Sequence, residues 1–297
     1  MVIAVLTKII KSMRPEQWSK NLIIFLALIF SQNLFSYLAV IKTTFAFIIF
    51  CLLSGSVYII NDICDFEDDK SYSWMPRRPI SREELKISQA LIASILIAIL
   101  SLTGAFLLNL NFGFIAFMYF LLMINYSLYL KKMFLINILL VAVGFLLRAV
   151  AGGAIIDIKI SYFLLIFTFF IALFLAGCKQ RYKLISYGAK AKGNLTRSQT
   201  NKIMVLDQII IMVASVAVLS YVIYTITYTP AVRLRTTNLI YTTFFVLYGI
   251  LRYLYLIYHK NLISIPEQIL YKDLPLLICV FIWAITVMII LYVPILL

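Results

Sequence analysis

Apolar runs of about twenty residues recur along almost the whole chain, and no other feature constrains its fold as strongly. They fall at roughly 21–39, 43–60, 87–108, 112–130, 134–152, 161–178, 204–226, 239–257 and 274–296, each near the ~20 residues that an α-helix needs to cross a bilayer. Open sheets leave backbone donors and acceptors unsatisfied in lipid, so the spans must be helical. The expected fold is all-α, a polytopic membrane protein of nine transmembrane helices. With 64% apolar or aromatic residues and 13% charged among 297, the composition excludes a soluble enzyme and a disordered chain. No repeat or long linker is visible, so 1–297 reads as a single domain. Met1 to Leu6 are apolar but too few for a cleavable signal, and the chain then runs into Lys8, Lys11 and Arg14. They are expected to form an amphipathic lead-in at the interface.

Charge sets the expected direction of the spans. With the N-terminus in the cytoplasm, twenty Lys and Arg fall on that side and four (Lys42, Lys159, Arg233, Arg235) on the other, while Arg148 and Arg252 lie within spans. This is a strong positive-inside bias. It predicts a multi-pass protein of the cell membrane with its N-terminus cytoplasmic and its C-terminus outside. The net charge of +14 then needs no nucleic acid to explain it. The carboxylates sort the same way, with Asp157 as the acid clearly outside. Polar residues gathered at one face argue against a transporter, which would string them through the bilayer. Four cysteines without short spacing suggest neither a zinc site nor a disulfide framework, and the single His259 excludes a multi-His metal site.

The string Asn61-Asp62-Ile63-Cys64-Asp65-Phe66-Glu67-Asp68-Asp69 follows the second apolar run directly. If the helix continues, 100° per residue places Asp62, Asp65 and Asp69 within about 60° of one another, with Glu67 on the opposite face. Three carboxylates on one stripe repel unless a cation joins them, and an all-oxygen set that leaves room for phosphate suits Mg²⁺. Asn61 adds a neutral oxygen at the edge of the cluster. The expected metal ligands are thus Asn61, Asp62, Asp65 and Asp69, the three aspartates also being the expected catalytic residues. A solvated acidic loop neutralised by Lys70, Arg77 and Arg78 is the plainer alternative.

Asn-Asp-x-x-Asp-x-x-x-Asp at the end of the second of nine helices resembles the first acidic motif of the UbiA-type intramembrane prenyltransferase superfamily. Arg14-Pro15-Glu16-Gln17-Trp18-Ser19-Lys20-Asn21, Arg78-Pro79-Ile80, Tyr126-Ser127-Leu128-Tyr129-Leu130-Lys131, Gly144-Phe145-Leu146-Leu147-Arg148-Ala149-Val150-Ala151-Gly152-Gly153 and Gly249-Ile250-Leu251-Arg252-Tyr253-Leu254 are similar to strings of its decaprenyl-phosphate phosphoribosyltransferase branch. The resemblance implies a helical bundle with a central cavity open to the cytoplasmic side. It also implies Mg²⁺-dependent transfer of a 5-phosphoribosyl group from phosphoribosyl pyrophosphate to a polyprenyl phosphate, releasing pyrophosphate. The alternative on the same fold is a prenyltransferase moving a prenyl group from a prenyl pyrophosphate to an aromatic or lipid acceptor. The chain departs from the branch at Tyr72, Ser73 and Met75, where a His-Pro-x-Lys string is usual. It departs again at Asn137, commonly Asp, and at Lys183, commonly Glu.

Further residues are expected to meet substrate. Lys20 and Asn21 open the first span on the cytoplasmic side, where phosphate binding competes with snorkelling to headgroups. Arg77 and Arg78, between Pro76 and Pro79, belong to an irregular loop, and the planar guanidinium fork suits phosphate oxygens. The resemblance adds Tyr126 and Lys131. Asn137, Gly144, Arg148 and Gly152 share a helical stripe, on which Arg148 requires a cavity or a partner within the membrane. Asp207 is a candidate partner for Arg148 or Arg252. Lys179 and Arg181 open a long basic loop suited to anionic lipid or a phosphorylated substrate.

Overall fold

The computed structural model describes residues 2–71, 78–192, 196–227, 238–259, 269 and 272–296. Packing divides the chain into two compact units, Met1–Lys159 and Ile160–Leu297, a division that no composition shift in the sequence marks.

The first unit opens with α1 (Val2–Ser12), a 3-10 segment (Pro15–Ile24) and the short α2 (Phe25–Phe30). Then come α3 (Tyr37–Cys64), α4 (Phe66–Ser71), α5 (Ile87–Leu108), α6 (Leu110–Leu128) and α7 (Phe134–Ile155). The second unit contains α8 (Tyr162–Lys192), α9 (Arg197–Ile226), α10 (Thr243–His259) and α11 (Leu274–Leu296). Among the described residues, eight helical stretches are long and apolar enough to cross a membrane: α3, α5, α6, α7, α8, α9, α11, and α10 with the short 3-10 turn before it. The described residues are all-helical, and the protein is a multi-pass membrane protein. Large side chains such as Leu100, Leu107 and Phe281 stand exposed on these helices, as lipid-facing positions should.

The ninth expected span, 21–39, is not one helix. Its start is wound as a 3-10 segment, and α2 stops at Phe30 because Ser31-Gln32-Asn33 breaks the apolar run. Gln32 takes a positive φ of 60°, and the Asn33 amide donates to the Ser31 carbonyl at 3.0 Å and to its hydroxyl at 2.8 Å. Ser36 then caps α3 by accepting from the Ala39 N–H. The basic stretch after residue 178 also differs from expectation. It is helical through Lys192, and a new helix starts at a capping box in which Thr196 and Gln199 satisfy each other's backbone N–H groups.

The core of the first unit forms where α3, α5, α6 and α7 meet. Phe50 packs against Phe112 and Tyr119, with ring centres 5.6 and 5.3 Å apart, and Ala46, Ala105 and Ala116, all fully buried, let the helices approach. The 3-10 segment lies directly on α7 at Gly152, where a Cβ would overlap the Ile24 carbonyl oxygen. A second cluster, Met13, Ile59, Ile80, Leu85 and Ala90, ties the end of α1 and the loop 78–85 to the last turns of α3 and the first of α5. In the second unit, Tyr221 of α9 hydrogen-bonds Thr242 at 2.7 Å and accepts from the Trp283 indole at 3.1 Å.

Candidate active site

The helical path that the acidic motif requires is preserved through a break. α3 ends at Cys64 and α4 begins at Phe66, yet the Asp65 N–H still reaches the Asn61 carbonyl at 3.0 Å and the Asp69 N–H the Asp65 carbonyl at 2.7 Å. The i to i−4 spacing therefore continues, and Asp62, Asp65 and Asp69 stay on one stripe. Asn61 is held to that stripe, its amide donating to Asp65 Oδ2 at 2.9 Å.

Three cations from separate segments meet these carboxylates. Arg78 Nη1 lies 2.8 Å from Asp62 Oδ1, 2.9 Å from Asp69 Oδ2 and 3.6 Å from Asp65 Oδ2. Arg14 pairs with Asp62 and stacks its guanidinium over the Tyr58 ring at 5.1 Å. Lys131 pairs with Asp65 and donates to Asn61 Oδ1 at 3.4 Å. The Asp62 side chain is 1% exposed, while the cations around it are only partly covered.

Local backbone explains how each cation arrives. Arg14 has a φ of 53°, an uncommon conformation for a residue with a side chain, and this turns the chain from α1 into the 3-10 segment. Arg78 is set by reciprocal bonds with Ser81, its N–H donating to the hydroxyl and its carbonyl accepting from it, both at 3.1 Å. Lys131 sits in the turn between α6 and α7. There the Asn137 amide donates to the Lys131 carbonyl at 3.1 Å and the Tyr126 hydroxyl donates to Asn137 Oδ1 at 3.1 Å. Tyr126 and Asn137 thus hold the turn that presents Lys131.

Burial and charge compete at this cluster. Burial raises the Asp69 carboxyl above the usual carboxylate range, although Arg78 opposes it. For Arg14 burial pulls the guanidinium down, and the Asp62 carboxylate outweighs it, so the net displacement is upward. Both shifts follow from opposite charges held close together where they are largely covered.

The acidic stripe offers oxygen donors to a divalent ion. Among the described residues no three acidic, His or Cys side chains stand close enough to share an ion directly as placed. The carboxylates instead converge on one guanidinium nitrogen, with an oxygen from each of three aspartates within 3.6 Å of it. A hard oxygen set gathered about a point already held by positive charge fits Mg²⁺ in its chemistry. Asp69 Oδ2 is buried without a properly angled hydrogen bond, so one acceptor has capacity to spare.

Other expected site residues lie elsewhere. Asn21 is fully buried, accepting from Arg148 Nε at 2.6 Å and donating to Ser54 Oγ at 3.2 Å. Arg148 also donates to the Gly144 carbonyl at 3.0 Å and the Tyr119 hydroxyl at 2.6 Å. Its fork is spent on a neutral knot inside the first unit. Lys20 is half-buried on the 3-10 segment. Lys179 and Arg181 belong to the second unit, on α8 rather than a loop. Asp207 pairs with neither Arg148 nor Arg252. It accepts from Arg181 Nε at 2.6 Å and from the Tyr258 hydroxyl at 3.0 Å, and Arg252 pairs with Asp273 at 2.9 Å. Arg77, Tyr72, Ser73 and Met75 lie outside the described residues. Arg14 was not among the expected site residues, although it begins the Arg-Pro string that the sequence displays.

Comparison with known proteins places the chain in a family. A model described as the UbiA prenyltransferase family matches residues 21–267. The chain is 33% identical over 194 residues to a decaprenyl-phosphate phosphoribosyltransferase of Mycolicibacterium smegmatis, covering 64% of this chain and 61% of that protein. It thus spans about three fifths of that relative's length. A digeranylgeranylglyceryl phosphate synthase of Sulfurisphaera tokodaii is 35% identical over 113 residues, 38% of this chain and 40% of that protein. Among solved structures, a UbiA homologue from Archaeoglobus fulgidus bound to DMAPP and Mg²⁺ superposes with a TM-score of 0.69 at 15% identity, over 95% of this chain and 99% of that one.

Proposed function

Because the chain belongs to the UbiA prenyltransferase family, we propose that it is a membrane transferase that moves a 5-phosphoribosyl group from phosphoribosyl pyrophosphate to a polyprenyl phosphate. A phosphate oxygen of the lipid attacks C1 of the ribose. The bond from C1 to the pyrophosphate oxygen breaks, and pyrophosphate leaves with the electron pair. The attacking phosphate is already an anion, so no general base is needed.

The observation that carries this reading is the meeting of Asp62, Asp65 and Asp69 with Arg14, Arg78 and Lys131 in one cluster. A donor with both a pyrophosphate and a 5-phosphate demands several fixed cations, and these three are placed together. Asn61, Asp62, Asp65 and Asp69 would hold Mg²⁺, which when bound supplies positive charge to the departing pyrophosphate. Arg78 and Arg14 bind and orient phosphate oxygens through charge-assisted hydrogen bonds. Lys131 sets the carboxylate of Asp65. The likeness to a decaprenyl-phosphate phosphoribosyltransferase supports the same donor. We place this cluster on the cytoplasmic side, a reading that the positive-inside charge bias supports.

A second reading has its own support. Prenyl transfer from a prenyl pyrophosphate is favoured by the likeness to a digeranylgeranylglyceryl phosphate synthase. One assay separates the two: membranes containing the chain, given Mg²⁺ and radiolabelled phosphoribosyl pyrophosphate, should carry label in their lipid extract. A lipid extract without label, with transfer from a prenyl pyrophosphate instead, selects the second reading.

A further inference from the structure

Three carboxylates and three cations cancel one another at the mouth of the first unit, Asp62, Asp65 and Asp69 against Arg14, Arg78 and Lys131. We infer that Arg78 is a resident counter-ion that a divalent cation must displace, so that the metal and a pyrophosphate-bearing substrate bind as a pair and each binds weakly alone. This rests on the reading of the acidic stripe as a metal site given above.

Position makes Arg78 the group to move. Its Nη1 is shared by all three carboxylates, at 2.8, 2.9 and 3.6 Å, and therefore stands where a cation serving all three would sit. The Arg78 side chain is 29% exposed against 1% for Asp62, so the arginine has a path outward and the aspartate has none. The movement belongs to the side chain, because the backbone beneath it is pinned. Ile80 and Leu85 are buried against Met13 and Ile59, and the Pro79 carbonyl accepts from the Glu84 N–H at 3.0 Å.

Charge then dictates the coupling. A divalent ion entering a neutral group of six leaves two positive charges uncompensated among largely covered side chains, which is unfavourable. A pyrophosphate arriving with it restores the balance, and the released guanidinium gains phosphate oxygens that suit its planar fork. Linkage makes the help reciprocal: whatever factor pyrophosphate contributes to metal affinity, the metal contributes to pyrophosphate affinity.

The test counts protein-bound Mn²⁺ by electron paramagnetic resonance on the full-length protein in detergent, with and without inorganic pyrophosphate. Wild type should bind Mn²⁺ weakly alone, and pyrophosphate should tighten it within the roughly 5–150-fold range of such couplings. Arg78→Gln should bind Mn²⁺ alone about fivefold or more tightly than wild type and lose most of the pyrophosphate effect, whereas Arg78→Lys, which keeps the charge without the planar fork, should still bind Mn²⁺ weakly alone and show a smaller pyrophosphate effect than wild type. Folded Arg78→Gln protein with unchanged or weaker Mn²⁺ affinity overturns the inference. So does wild type that binds Mn²⁺ equally well with and without pyrophosphate, a result that needs no variant. Absence of bound Mn²⁺ in wild type under both conditions is a different failure, because it removes the metal site itself.

Discussion

Arg148 donates from Nε to the Asn21 amide oxygen at 2.6 Å across 127 positions of sequence, and this bond fastens the 3-10 segment to α7. The remaining partners of the guanidinium are also neutral: the Gly144 carbonyl, the Tyr119 hydroxyl and the faces of Tyr119 and Phe145, 4.6 and 5.4 Å away. A buried cation is here solvated by dipoles and rings. Because the 3-10 segment starts one residue after Arg14, the knot also helps to hold Arg14 against Asp62.

Breaking that knot from one side should be harmful. Asn21→Leu leaves the Arg148 donors short of a partner and is expected to lower stability by about 1–3 kcal/mol. Thermal unfolding in detergent reads the change. Adding Arg148→Met removes the orphaned charge, so the double variant should be more stable than the sum of the two single losses. Simple additivity would show that the two residues do not act together.

The aspartates should separate in stability though not in activity. Asp62→Asn and Asp65→Asn are each expected to reduce transfer by more than about 100-fold, on the scale of two or more charge-assisted contacts. Asp62 lies deeper and meets two arginines, so its variant should also melt lower than Asp65→Asn. Near-normal turnover by either variant at saturating Mg²⁺ would refute the assignment of the stripe.

Two glycines offer a packing test. At Gly152 an added Cβ would overlap backbone of Ile24, an atom that no rotamer change can move away, whereas at Gly104 it would lie 3.6 Å from Ile49 Cδ1 in ordinary contact. Gly152→Ala should destabilise by about 1–3 kcal/mol. Gly104→Ala should be neutral or stabilising by up to about 1 kcal/mol, because alanine suits a helix interior. The comparison fails if both variants melt alike.

Topology can be read with a native probe. Cys64, one residue before Asp65, is exposed, while Cys51, Cys178 and Cys279 are buried. A membrane-impermeant maleimide should label Cys64 in inverted vesicles and leave intact cells unlabelled, and Cys64→Ser should abolish the signal. Labelling of intact cells would put the acidic stripe on the outer side.

Much of the site was legible because it depends on local spacing. The Asp62–Asp65–Asp69 stripe follows from helical periodicity and survives the break at Asp65, since the hydrogen-bond register runs through it. Arg78 was legible as a non-helical cation between prolines. Partner choice was not. Hydropathy shows that residues 21–39 are apolar, but whether they form one helix depends on the Ser31-Gln32-Asn33 turn and on Gly152 admitting the Ile24 backbone. Pairing Asp207 with Arg181, rather than with Arg148 or Arg252, depends on how α8, α9 and α10 pack. Arg14 was visible only as part of a string, because its role arises from a left-handed backbone and a partner 48 positions away.

The function of this chain turns on the identity of the transferred group. The most direct measurement is mass spectrometry of the lipid formed by the purified chain in liposomes with polyprenyl phosphate, Mg²⁺, and phosphoribosyl pyrophosphate and a prenyl pyrophosphate supplied together, with Asp62→Asn as control. Wild type should form a polyprenyl phosphate heavier by one 5-phosphoribosyl unit, and the control should form none. A product carrying an added prenyl group, with phosphoribosyl pyrophosphate left unconsumed, would contradict it.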